Sequence, residues 1–317
     1  MEKNIIGIDV SKKYFDSVIN GKVHRFDNDS KGIKKFINSI PLGSHCAMES
    51  TSTYGYKLVY GIQKGGSFAY VINPLKIKYY SRMGLSKTKT DALDAVLITK
   101  YATLVIDDLV PYEFPSENLQ EAKQILKLIE QLKKQRTALR NNLESFNHLP
   151  LTSKDAIKSI KILITELNKQ IKSLEGKVSK LIRTDYTDMI DNIKSIKGVG
   201  EATATLLVAK TNGFKNFESS SQVSSFFGCC PRIIESGSSV KGKRCISKIG
   251  HGSIRTQLYM CAMSARACNS SCKNLYDRLV ANKRPKKLAL LAVVNKLIRQ
   301  IFAIAKSGTK FNDFSYN

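Results

Sequence analysis

Apolar and polar positions change their period three times along the chain. Residues 4–10 (NIIGIDV) form a short apolar run of the kind a buried strand requires, and 14–19 (YFDSVI) and 22–26 (KVHRF) read as two more strands. Asn20-Gly21 between the latter two is a strong hairpin signal, because both residues tolerate positive φ. The segment SKGIKKFINSI predicts a helix with Ser30 as its cap and Ile33, Phe36, Ile37 and Ile40 on one face. HCAME (45–49) reads as a fourth strand, YGYKLVYGIQKG as a helix ended by glycine, and SFAYVIN (67–73) as a fifth strand stopped at Asn73-Pro74. A further helix is predicted from near Thr90 through DALDAVLITKYA. Strands led by a hairpin and followed by alternating helices and strands predict an α/β layer architecture.

The middle of the chain keeps a different spacing. Ile157, Ile160, Ile164, Leu167, Ile171, Leu174, Val178 and Leu181 recur every three or four residues. Upstream, Ile125, Ile129, Leu132, Leu139, Leu143 and Phe146 do the same, interrupted by Arg136. Two heptad-patterned helices joined at NHLPLTS predict an antiparallel coiled-coil arm, and two amphipathic helices lying on a neighbouring domain would show the same pattern. The expected organisation is therefore an α/β domain over 1–110, a helical arm over 111–190 and an all-α domain over 191–317.

Charge adds to this division. The 317 residues carry 51 Lys and Arg against 26 Asp and Glu, a formal net charge of +25. Residues 191–317 alone hold 21 basic and 6 acidic side chains, so more than half of the excess lies there. Such a surface binds polyanions by displacing their condensed counterions, which makes nucleic acid the expected partner and the last segment its main contact. The 7 cysteines lack the paired spacing of a zinc site or a disulfide framework and read as reduced thiols. No stretch approaches the ~20 apolar residues of a membrane span, and the N-terminal apolar run, broken by Asp9, is too short for a signal peptide.

The carboxylates of the first segment carry the candidate chemistry. Asp9 and Glu49 end predicted strands, where an ionised group needs a partner or an ion. Asp91 and Asp94 are three apart at the start of a helix and so share a face, although Asp91 could instead serve only as a helix cap. Together they would make a set of hard oxygen donors suited to Mg²⁺ or Mn²⁺, and a pair of such ions can clamp the attacking and leaving oxygens of a phosphodiester.

The runs Gly7-Ile8-Asp9-Val10-Ser11-Lys12, Met48-Glu49, Val71-Ile72-Asn73-Pro74 and Lys89-Thr90-Asp91-Ala92-Leu93-Asp94-Ala95 resemble the DEDD transposases of the bridge-RNA-guided insertion sequences, with which the Piv-type DNA invertases are grouped. Ile196-Lys197-Gly198-Val199-Gly200, Phe227-Gly228, Pro231-Arg232, Glu235-Ser236-Gly237, Ile246-Ser247-Lys248 and Arg255-Thr256-Gln257-Leu258-Tyr259-Met260 continue the resemblance in order. It implies a RuvC-like (ribonuclease H-like) first domain whose metal ligands are Asp9, Glu49, Asp91 and Asp94, and a helical C-terminal transposase domain. Ser236 would be the nucleophile that joins transiently to DNA, with Ser238 and Ser239 in the same loop as alternatives. It further implies double-stranded DNA as substrate, a structured guide RNA, a dimer or tetramer of the chain, and a cytoplasmic, nucleoid-associated place of work without a membrane. Departures from the family pattern are Ser-Thr-Ser after Glu49 and Cys229-Cys230 before Pro231.

Basic and glycine residues supply the candidate nucleic-acid contacts. Lys197, Gly198 and Gly200 lie in a stretch similar to a helix-hairpin-helix turn, where backbone N–H groups can approach a phosphate, although a tight helix–helix turn uses the same glycines. Lys241, Lys243 and Arg244 follow Ser236 directly, and Lys248 and Arg255 lie shortly beyond. Two rival activities remain. A RuvC-like nuclease that only hydrolyses DNA needs the acids but no serine. An actin-like sugar kinase, suggested by GIDVS, would need a second phosphate loop of Asp-x-Gly-Thr type, and the sequence has none.

Overall fold

Asn20 and Gly21 both adopt positive φ, 50° and 75°, so the tight turn joins β2 (Tyr14–Ile19) to β3 (Lys22–Asp27) as the dipeptide predicts. The computed structural model describes residues 3–50, 53–83, 91–232, 235–236, 240–241 and 245–313, with backbone alone at 91, 92, 235, 236, 240 and 241. The chain divides into two units, Met1–Phe114 and Pro115–Asn317.

In the first unit, β1 (Ile5–Val10) pairs antiparallel with β2 and parallel with β4 (His45–Glu49), which in turn pairs parallel with β5 (Phe68–Ile72). The sheet order is β3-β2-β1-β4-β5. Each parallel step requires a crossover. The crossover from the hairpin to β4 is α1 (Ser30–Ser39), and that from β4 to β5 is α2 (Tyr56–Lys64). Side chains alternate across the strands, so Ile6, Ile8, Val10, Phe15, Cys46 and Met48 pack with Phe36, Leu58 and Ile62 on one face. Ala47, Tyr70 and Ile72 meet Ile98 and Ala102 of α4 (Asp91–Val105) on the other.

Two local expectations change. The cap of α1 is Asp29, whose carboxylate accepts the Gly32 N–H at 2.7 Å, and Ser30 is already the first helical residue. Asn73-Pro74 does stop β5, but it also starts a helix, α3 (Pro74–Met83), that the apolar pattern did not reveal. Proline fits a first helical position because no N–H is required there, and Asn73 Oδ1 accepts the Leu75 N–H.

The second unit begins with α5 (Glu117–Phe146) and α6 (Lys154–Lys194), paired as an antiparallel hairpin whose break falls at 147–153. Ser116 and Ser153 cap the two helices by accepting the N–H groups of Leu119 and Ala156. The Arg136 that interrupts the apolar stripe donates across the hairpin to Asn168 Oδ1 at 2.9 Å, so a polar residue on one helix meets one on the other. Next come α7 (Glu201–Thr211) and α8 (Ser220–Phe227), then four two-residue strands: β6 (Pro231–Arg232), β7 (Glu235–Ser236), β8 (Val240–Lys241) and β9 (Cys245–Ile246). Three helices close the unit: α9 (Gly252–Cys268), α10 (Ser270–Ala281) and α11 (Lys286–Ser307). One continuous core runs from Leu119 and Ile129 of α5 through Val178 and Ile190 of α6 to Val293 and Ile301 of α11. Contrary to the expectation that no stretch approaches spanning length, α11 is long and apolar enough to cross a membrane. Its face of Ala289, Leu290, Val293, Val294, Leu297, Ile298 and Ile301 is buried, and it serves as the central core helix.

Candidate active site

Asp9 lies near the end of β1 and Glu49 at the end of β4. The parallel register pairs Ile8 with Met48, so Asp9 and Glu49 fall at the next step along adjacent strands. Strand alternation puts both on the face covered by α4, the face to which Gly7 and Ala47 belong. Both side chains are half-buried.

Gly7 sets the position of α4. Its N–H donates to Thr99 Oγ1 at 3.0 Å, and a Cβ built on it would lie 2.5 Å from the Ala95 carbonyl oxygen and against the Thr99 backbone. Only glycine lets the helix approach the strand so closely. Lys3, just before β1, reaches Asp107 just beyond the end of α4, while Gly7 touches Ala95 and Thr99, so helix and strand run in opposite directions. The first turn of α4, with Asp91 and the half-buried Asp94, therefore points toward the same end of the sheet as Asp9 and Glu49. Three of the four predicted acids are thus brought to one end by described side chains, and the fourth, Asp91, by its backbone. Among the described residues no group of three or more His, Cys, Asp or Glu side chains is gathered closely enough to hold a metal ion, and the Asp91 side chain is not one of those described. The donor chemistry suits a hard divalent cation, which takes carboxylate oxygens.

Sequence reading missed three parts of this arrangement: Gly7 as the contact with α4, Thr99 as its partner, and Asp16. Asp16 is paired in register with Asp9 on β2, is 2% exposed, and accepts two hydrogen bonds from Arg25. A glycine inside an apolar strand is a recognised sign of close backbone approach. Nothing local marks Asp16, because its importance depends on strand pairing.

In the second unit Ser236 is paired with Val240 and Glu235 with Lys241, so the predicted nucleophile lies on the arm of a small hairpin. Ser238, Ser239, Lys243 and Arg244 lie outside the described residues. Gly198 has φ +96°, and a Cβ there would stand 2.7 Å from the Ala265 Cα, so this glycine lets α9 pack against the turn. Gly200 is the N-cap of α7. Lys197 reaches Asp313 at 3.2 Å, Arg255 donates to the Phe227 carbonyl at 3.0 Å, and Lys248 is exposed with φ 56°. Glu201 in the first turn of α7 is bound by Arg183 and Lys194, which hold its carboxyl down at about 2. Burial pushes the Cys46 thiol up to about 12 and those of Cys229 and Cys272 to about 11, so these three are inert packing groups.

Comparison with known families decides the class. A family model for the DEDD transposases of IS110 elements, described as "Transposase", matches residues 6–150, and a second, "Transposase IS116/IS110/IS902 family", matches 190–277. The chain belongs to the DEDD transposase family. It is a DEDD-type DNA recombinase. The first matched stretch contains Asp9, Glu49, Asp91 and Asp94, and the second contains Ser236. Relatives include the "Pilin gene-inverting protein" of Moraxella bovis and that of Moraxella lacunata, each 25% identical over 98% of both chains. An "Insertion element IS110 uncharacterized 43.6 kDa protein" of Streptomyces coelicolor is 23% identical over 48% of this chain and 37% of its own.

Proposed function

We propose that this DEDD recombinase, a transposase or a site-specific invertase, cuts and rejoins DNA through Ser236, with Asp9, Glu49, Asp91 and Asp94 holding Mg²⁺ or Mn²⁺ in a RuvC-like domain. The observation that carries the reading is the convergence of the β1 and β4 ends with the start of α4. The order of three antiparallel strands followed by two parallel ones, with acids on the first strand, the fourth strand and a later helix, supports the ribonuclease H-like assignment.

When bound, a divalent ion would lower the cost of charge building on the phosphate oxygens. The four acids would hold it at the strand ends. Ser236 Oγ attacks the phosphorus while one P–O bond to deoxyribose breaks, and the serine proton passes to the departing hydroxyl. The phosphoserine ester conserves the phosphodiester energy, so attack by another hydroxyl rejoins DNA and frees the serine without ATP. Basic residues including Lys197, Lys241, Lys243, Arg244, Lys248 and Arg255 would grip phosphates, with backbone N–H groups near Gly198 and Gly200. The substrate is double-stranded cytoplasmic DNA at the nucleoid, an element-encoded RNA guides the choice of site, and the working form is a dimer or tetramer.

The deciding experiment incubates the protein with flanking DNA, with and without co-expressed element RNA, and traps protein-linked DNA. Wild type gives the adduct and recombinant product, Ser236→Ala gives neither, and Asp9→Asn gives neither. Should Ser236→Ala cleave with hydroxyl ends and never form an adduct, the hydrolytic nuclease reading replaces this one.

A further inference from the structure

The carboxylate face of the first unit holds an acid that the DEDD pattern does not name. At the level of Asp9 the register aligns Arg25 on β3, Asp16 on β2 and Asp9 on β1, with Glu49 on β4 as the next neighbour. Residues directly opposite in an antiparallel pair share a face and stand ~5 Å apart at Cβ, so Asp16 adjoins Asp9. The Asp16 carboxylate is itself only 2% exposed, whereas the Arg25 side chain beside it is open to water. Its two oxygens are both engaged by β3, on the side away from β1. Arg25 Nε donates to Oδ1 and Nη2 to Oδ2, each at 2.8 Å. The guanidinium also lies over the Tyr14 ring, 3.8 Å from its centre, which fixes the fork from a second direction.

Stability alone is a poor reason for this pair. Burying the Asp16 carboxylate costs desolvation that an apolar residue would avoid, the Arg25 side chain that answers it is 56% exposed, and elsewhere the same sheet face is occupied by Ile5, Ala47, Tyr70 and Ile72. The pair stands at the one level where the acids gather.

We propose that Arg25 is a positioning residue for the acidic site: by taking both Asp16 oxygens it withholds a further carboxylate from the divalent cation and balances the charge beside Asp9. This rests on the metal-site reading above. Releasing Asp16 adds negative charge at the site, whereas neutralising Asp16 leaves an unbalanced guanidinium. The two substitutions therefore move cation affinity in opposite directions, each by roughly tenfold, as expected for a unit charge acting on a dication at several ångströms through a mostly aqueous medium.

The test titrates the full-length chain, without DNA, with Mn²⁺ by calorimetry and by the loss of free-ion paramagnetic resonance signal, with thermal melts of the same samples. Arg25→Gln tightens binding, Asp16→Asn weakens it, and Asp16→Asn/Arg25→Gln returns to near the wild-type value. Should Arg25→Gln fail to fold, the comparison of Asp16→Asn with the double variant still decides, because a charge-balancing role requires the second substitution to restore affinity. Singles that both weaken binding, or both leave it unchanged while Asp9→Asn abolishes it, overturn the role of Arg25 alone. Wild type that takes up no more Mn²⁺ than Asp9→Asn overturns the metal site and this inference with it.

Discussion

Replacing Gly7 by alanine places one methyl group where α4 comes nearest the sheet. The added Cβ would sit 2.5 Å from the Ala95 carbonyl oxygen and press on the Thr99 backbone and hydroxyl. Ordinary carbon–oxygen contact needs about 3.4 Å, so α4 must retreat by about 1 Å, a shift that a close-packed interior resists. Overpacking of this kind costs about 1–3 kcal/mol. The Gly7 N–H to Thr99 Oγ1 bond, 3.0 Å long, stretches with the retreat and removes about 1 kcal/mol more. The first unit should lose about 2–4 kcal/mol, read from urea unfolding followed by circular dichroism. The retreat also carries Asp91 and Asp94 away from the strand ends that hold Asp9 and Glu49. A misplacement of about 1 Å in a reacting assembly costs about 10²-fold in rate. Cleavage of supercoiled DNA, assayed well below the melting temperature, should fall by that factor in the folded variant. A Gly7→Ala protein with wild-type cleavage and less than about 0.5 kcal/mol of destabilisation would refute the reasoning, because α4 would then not be positioned by this contact.

Two further outcomes follow from the second unit. Gly198→Ala forces a side chain onto φ +96° and against the Ala265 backbone, so the urea midpoint of that unit should fall by the equivalent of more than about 2 kcal/mol. Burial, with Lys210 and Arg255 opposing a weaker pull from Glu130, lowers the His251 pKa below its ordinary value of 6.5. The folded state then binds fewer protons than the unfolded one, so this contribution to stability is complete above about pH 6.5 and is lost as pH falls toward the lowered value. His251→Gln should flatten the urea midpoint between pH 7.5 and pH 5, and an unchanged slope would exclude His251 as the source.

The strands of the first unit were legible because each carries its own local sign. Asn20-Gly21 forces the hairpin, and the short apolar runs are bounded by turn residues. The long helices were legible for the complementary reason, a stripe of aliphatic residues sustained over many turns. What escaped depends on neighbours distant in sequence. Asp29 rather than Ser30 caps α1 because either residue type can do so, and only backbone dihedrals choose between them. Helix α3 escaped because its alternation of lysines, tyrosines and aliphatics leaves Ile77 as its only buried residue. The acids at the ends of two strands and the start of a helix could be named one by one, as could their motif. That Asp16 borders Asp9 required the pairing of β1 with β2, which no spacing along the chain contains.

Helices α5 and α6 are rooted in the core of the second unit and free at their far end. The last buried residue of α5 is Ile129, while Leu149 and Leu151 between the helices are exposed. The 17 steps from Ile129 to Phe146 extend about 25 Å at 1.5 Å each. The hairpin therefore works as a pointer clamped at its base: a tilt of about 10° within the core sweeps the tip through about 4 Å by this geometry. Small rearrangements around α7 and α11 are magnified at Leu151, and a fluorophore placed there would register them before any change at the buried base could be seen.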